Sequence, residues 1–227
     1  NSNAYIFIYA VAMVIVVAAV LSFIATKLKP MQEHNEEVQK MQDILSAMQI
    51  QSTVENAPDQ YEKYVNKSLV VNSDGEIIEN ADAFEIKLKK ELAKPVEERK
   101  LPLFIGESDE GNKKLILPLR GKGLWGPIWG YVSLNSDYNT IYGASFAHKS
   151  ETPGLGAEIN TDKFQMQFEG KKILNEDGEF VSVDVVKGGA PDEDPHAVDA
   201  ITGGTITSHG LRDMLENGIF PYMTYFK

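Results

Sequence analysis

A chain of 227 residues has room for one membrane anchor and one medium-sized domain, or for a single larger domain. Its 33 acidic residues against 22 basic ones leave a net charge of −11, which argues against a nucleic-acid binder, since that needs a basic face to meet phosphates. The lack of cysteine excludes disulfides, thiolate metal sites and cysteine-held iron–sulfur clusters, and the four histidines (His34, His148, His196 and His209) share no metal-binding spacing.

The first element in chain order is the uncharged run AYIFIYAVAMVIVVAAVLSFIAT, Ala4 to Thr26. About 20 apolar residues span a bilayer as a helix. A cleavable signal peptide has a shorter apolar core behind a basic start, which this run lacks. A retained transmembrane helix is expected, with Tyr5 and Tyr9 at one interface. Lys27 and Lys29 follow it, and the positive-inside rule alone would put that side in the cytoplasm. Beyond Pro30, Met31, Val38, Met41, Ile44, Leu45 and Met48 recur at spacings of three, four and seven, the stripe of an amphipathic helix. It serves equally as a stalk or as a cover for the domain core.

From Lys67 the pattern turns to short strands. KSLVV and EIIE flank the turn signal NSDG. AFEIKLKKELAK (83–94) reads as a short helix stopped by Pro95; KKLILPLRG, WGYVSLN and IYGASFAHK read as strands; NTDKFQMQFEGKKI (160–173) as a helix; FVSVDVVKG (180–188) as a strand; and SHGLRDMLENG as a last helix stopped at Gly218. Thr207 or Ser208 would be its N-cap. Strand groups interrupted by a few helices, without βαβ alternation, predict an α+β fold with a largely antiparallel sheet. The expected organisation is an anchor over 1–29, an amphipathic helical connector over 30–66 and a folded domain over 67–227.

Three glycine-rich loops fall at strand ends, where ligand sites are usually built. GKGLWG (121–126) has the G-x-G-x-x-G form, but Pro127 and a strand follow it instead of the helix that a dinucleotide site needs. A turn explains its glycines and leaves Trp125 unexplained. SETPGLGAE (150–158) and VKGGAP (186–191) are loops whose backbone can approach a ligand closely, and Lys187 can meet an anion. No hydrolase elbow occurs, and no carboxylate pair stands out. The fourth segment, VDAITGGTITSHGL (198–211), crowds hydroxyls around a Gly-Gly pair before a helix start, a place that favours an anion such as phosphate. Helix capping accounts for Thr207 and Ser208, and leaves Asp199, Thr202 and Thr205 over.

DAITGGT resembles the flavinylation signature Asp-x-x-(Ser/Thr)-Gly-Ala-Thr, in which a flavin transferase joins FMN to the last threonine through a phosphoester. The match puts the acceptor at Thr205, with Asp199, Thr202 and Gly203 at the other signature positions and Gly204 where alanine is usual. One transmembrane helix followed in order by GKGLWGPIWGYVSL, ETPGLGAEI, VKGGAP and DAITGGTITS is similar to the NqrC family of the Na⁺-translocating NADH:quinone oxidoreductases. The RnfG component of the related Rnf electron-transport complex, which is linked to ferredoxin, shares part of the pattern. An unmodified membrane-anchored binding or assembly module is the alternative from another class.

The resemblance implies an FMN-binding domain over 67–227, with covalent FMN on Thr205 acting as an electron relay. It implies a place in the cytoplasmic membrane with the domain on the outer, periplasmic face, and as partners the other subunits of the complex and a flavin transferase. Leu124 and Trp125 and the loop Glu151, Thr152, Pro153, Gly154, Leu155 and Gly156 would receive the ring. Lys187, Gly188 and Gly189 would line the same pocket, and Thr202, Gly203, Gly204, Thr207 and Ser208 would surround the phosphate.

Overall fold

The computed structural model describes residues 3–226. The chain divides into two compact units, Asn1–Lys40 and Met41–Lys227. Helix α1 (Asn3–Ala47) is 45 residues long and runs unbroken through Pro30, so the two helices expected on either side of that proline are one. A proline's fixed φ suits a helix, and the loss is the bond its missing N–H would have given to the carbonyl four residues earlier. The helix is long and apolar enough to cross a membrane by length and composition, and it fits a single-pass anchor.

In the second unit, α2 (Ala57–Tyr64) leads into β1 (Val65–Val71). The NSDG turn forms, but its far arm is a single bridge, Val71 to Ile77. Only Leu88–Glu91 of the stretch 83–94 is helical (α3), because Asp82 Oδ1 accepts the Phe84 amide in a local turn and Phe84 joins an aromatic cluster. Then come β2 (Leu101–Glu107), β3 (Lys113–Lys122), β4 (Pro127–Leu134) and β5 (Ile141–His148). These and β1 form an antiparallel sheet in the order β1-β2-β3-β4-β5.

The sheet is covered on both faces, which is why β3 is buried without alternation from Lys114 to Leu119. Leu103, Leu115, Leu117, Leu119, Val132 and Phe146 point to the main core. Phe104 and Tyr131 point the other way, where Tyr61 and Phe84 pack edge-on and Gly106 leaves room for Met48.

β2 has no counterpart among the expected strands. Its pairing with β3 stops at Phe104 and Ile116. Continued, the register would oppose Pro102 and Pro118, and neither has an N–H to give. Tyr222, buried in the core, donates its hydroxyl to the Pro102 carbonyl at 2.7 Å instead. Burial pushes that phenol far above its ordinary pKa, so it stays a donor. Tyr222→Phe is expected to cost about 1 kcal/mol in urea unfolding, the value of one buried hydrogen bond.

After β5, the expected helix over 160–173 is short: α4 (Asp162–Gln165) and a 3₁₀ turn (Met166–Phe168), ended by Gly170 at φ +76°. The strand expected over 180–188 is confined to β6 (Asp184–Val186), since Ser182 sits at φ +62°. β6 pairs in parallel with β7 (Ala197–Asp199), a strand the periodicity does not announce. The last helix, α5, runs Thr205–Ile219 and packs on β3 through Leu211, Met214, Leu215 and Ile219. Gly218 is inside it and not a stop; its lack of Cβ clears Leu119 Cδ2, which such a carbon would approach to 2.9 Å.

Candidate flavin site at the start of the last helix

Two of the expected loops emerge from the same end of the β6–β7 pair. Because those strands are parallel, their carboxyl ends lie side by side, bringing the Lys187–Ala190 loop beside the segment that follows Asp199. Asp199 fastens the two: Oδ1 accepts the Ala190 amide at 2.7 Å, and its own amide donates to Gln167 Oε1 at 2.9 Å. Gly188 and Gly189 take φ values of +91° and +107°. Lys187 is exposed.

The other two loops meet at Glu151. This residue follows β5, and its carboxylate is buried. Oε1 accepts the Trp125 amide at 2.8 Å, and Oε2 accepts the Thr207 hydroxyl at 2.6 Å. The Glu151 amide donates to His148 Nδ1 at 3.1 Å. Thr152 and Pro153 are exposed on this loop. The Thr152 carbonyl accepts the amides of Leu155 and Ala157, and Gly154, at φ +74°, donates its amide to Glu158 Oε1.

The loop then touches the Thr-Gly-Gly-Thr segment directly. A Cβ on Gly203, which sits at φ +77°, would lie 2.6 Å from Leu155 Cδ2. One on Gly204 would lie 2.9 Å from Ile201 Cγ2 and 3.3 Å from the Gly156 nitrogen. The branched Ile201 thus explains glycine at the signature position where alanine is usual: Gly204 has φ −101°, so space and not backbone angle requires it.

Thr205 is the first residue of α5, and Gly204 is its N-cap, with no side-chain cap. Thr207 and Ser208 are therefore not caps, contrary to expectation. Both lie buried within the first turns, Thr207 donating to Glu151 and Ser208 Oγ accepting the Ile201 amide at 3.2 Å. The first amides of a helix have no intrahelical acceptor, so those of Thr205, Ile206 and Thr207 form the positive end of a 15-residue helix. Thr205 is half-buried, and the segments joined here carry four exposed apolar side chains: Leu124 (47% exposed), Trp125 (65%), Leu155 (41%) and Ile206 (58%).

Sequence reasoning missed His148, Gln167, Glu158 and Ile206 as members of this constellation. Ile206 was legible, as an apolar residue inside the hydroxyl-rich segment; His148 and Glu158 act within four residues, inside a loop whose turns no periodicity reports, and Gln167 acts across 32 residues.

The arrangement suits a planar, partly apolar group carrying one anionic end. A helix start favours an anion, exposed apolar residues favour a flat apolar surface, and glycines let backbone come close. A family profile described as FMN-binding domain matches residues 123–219, which contain all of these residues. The protein is thus of the FMN-binding class. The NqrC component of the Na⁺-translocating NADH-quinone reductase of Vibrio alginolyticus is 30% identical over 217 residues, covering 87% of this chain and 83% of that one. That of Vibrio vulnificus strain YJ016 is 29% identical, covering 89% and 85%. The crystal structure of the same component from Parabacteroides distasonis superposes with a TM-score of 0.81 at 42% identity, covering 88% of this chain and 97% of that one. Shewanella oneidensis NqrC gives a TM-score of 0.72 at 27% identity, covering 84% and 96%. The chain belongs to the NqrC family of the Na⁺-translocating NADH-quinone reductases.

Proposed function

We propose that this chain is an electron-relay subunit of a membrane-bound, Na⁺-translocating NADH:quinone oxidoreductase, carrying FMN as a phosphodiester on Thr205 Oγ. The observation that carries the reading is the position of Thr205: a hydroxyl at an uncapped helix start, in a segment that Leu155 meets at Gly203 and that Glu151 ties to the Leu124–Trp125 turn. Bound FMN supplies one- and two-electron redox chemistry. The residues of this chain hold and shape it. The amides of Ile206 and Thr207 face the phosphate charge, an arrangement worth about 0.3–1 kcal/mol at an exposed helix end. Trp125, Leu124 and Leu155 shield the ring from water, Gly156 and Gly204 let the backbone approach it, and Lys187 with Gly188 and Gly189 forms the outer wall.

Attachment requires a flavin transferase and FAD. Thr205 Oγ bonds to the FMN phosphorus, the bond to the AMP moiety breaks, and the hydroxyl proton leaves with AMP. Helix α1 anchors the protein in the cytoplasmic membrane, with the flavin domain on the periplasmic face, where a covalent link prevents loss of the cofactor. Electrons pass to and from neighbouring subunits of the complex. Peptide mass spectrometry of protein made together with a flavin transferase is expected to place FMN on Thr205. Finding it on Thr202 or Thr207 would refute the assignment.

A further inference from the structure

We propose that Glu151 is the positioning residue of this site: its buried carboxylate latches the Leu124–Trp125 turn to the first turn of α5, setting where Trp125 stands relative to Thr205. The functional consequence rests on the reading of Thr205 as the flavin-bearing residue.

Glu151 is only 5% exposed, and both its oxygens are engaged by protein donors, Trp125 N–H on one and Thr207 O–H on the other. Its seat is lined by glycine: a Cβ on Gly123 would lie 2.6 Å from Oε1, and one on Gly156 would lie 2.5 Å from Oε2. The backbone beneath it is pinned by the bond from its amide to His148 Nδ1 at the end of β5. Both donors are neutral, and Thr207 is the third residue of α5, so the positive end of that helix helps to stabilise the charge. A carboxylate enclosed in this way is not placed to contact a ligand. It joins two segments that do: Trp125 lies 26 residues before it in the chain, and Thr207 lies 56 after it.

The test uses the full chain in detergent, unloaded and loaded by a co-expressed transferase, as wild type and as Glu151→Ala, Glu151→Gln and Thr207→Val. Hydrogen exchange in the unloaded protein is read by mass spectrometry. Glu151→Ala should speed exchange in 124–126 and 205–208 together by about tenfold to a hundredfold, the value of charge-assisted bonds, with the five-stranded sheet unchanged. Thr207→Val should loosen 124–126 as well, although the hydroxyl it removes bonds to Glu151 and not to that turn. Glu151→Gln keeps the shape and can remake both contacts as neutral bonds, so it should fold and change in the same direction by a smaller factor.

In loaded protein, both Glu151 variants should alter the flavin absorption band and native fluorescence while the flavin stays on Thr205. Unchanged exchange in 124–126, or an unaltered flavin spectrum in both variants, overturns the proposal. Wild-type protein that keeps no flavin through denaturation overturns the flavin reading instead. The exchange measurement tells these failures apart, because it needs no flavin.

Discussion

Thr205→Ala, made alongside a flavin transferase, is expected to lose all flavin that survives denaturation. Wild-type protein should show a fluorescent band on a denaturing gel, and the variant none. The effect is total because the substitution removes the one oxygen through which the phosphate is proposed to bond, not a contact that neighbours could replace. The fold should tolerate the change. Thr205 is half-buried at the first helical position, it does not cap the helix, and alanine is the better helix former. Circular dichroism and the urea midpoint should therefore match the wild type, which separates loss of the acceptor from loss of structure. Thr202→Ala changes a signature position but leaves the acceptor oxygen, so whatever band it retains should map to Thr205. Thr205→Ser retains a hydroxyl and should recover at least part of it. A band of wild-type strength in Thr205→Ala would end the assignment.

The second large effect is expected at Gly210, inside α5. A Cβ there would run into the Lys122 carbonyl oxygen and come 3.5 Å from the Gly123 Cα, while a Cβ on Gly121 would meet Met214 Cβ at 2.7 Å. The helix and the end of β3 therefore cross at backbone contact. Two terms oppose each other in Gly210→Ala. Helix propensity favours alanine by about 1 kcal/mol. Overpacking costs about 1–3 kcal/mol, and more where the obstacle is backbone that no rotamer change can move. Sterics should win, with a net loss of about 2 kcal/mol, or roughly 4–8 °C in melting temperature for a domain of this size. Gly218→Ala is the control: its nearest obstacle is the tip of the Leu119 side chain, so it should be much milder. A Gly210→Ala variant as stable as the wild type would show that α5 can shift away from the sheet at no cost.

The parts of this protein legible in its sequence are those written in local patterns. The anchor is an uncharged run, β3 to β5 are apolar runs between turns rich in glycine, asparagine and aspartate, and the body of α5 follows a helical period. β2 escaped because Pro102 stands inside the run, and a proline there argues against a strand until the fold shows that β1 pairs across it. β7 escaped because three residues make no period. At the site, the composition of the four loops identified them as a group. What joins them was not visible, because Glu151 reads as one acid among many until the fold buries it. Thr207 and Ser208 look like caps because hydroxyls before a helix usually are. Here the helix begins earlier, and their hydroxyls are turned inward to Glu151 and Ile201.

The crossing of α5 and β3 also limits how any group on Thr205 can travel. The residues just beyond it, Thr207, Ser208 and Leu211, are buried, and the axis of their helix is clamped at Gly210. A cofactor tethered there is a fixed electrode and not a swinging arm, with no reach beyond its own ribityl phosphate chain. On the proposed attachment, electron donor and acceptor would each have to approach this one spot, so turnover would depend on motions of the surrounding subunits.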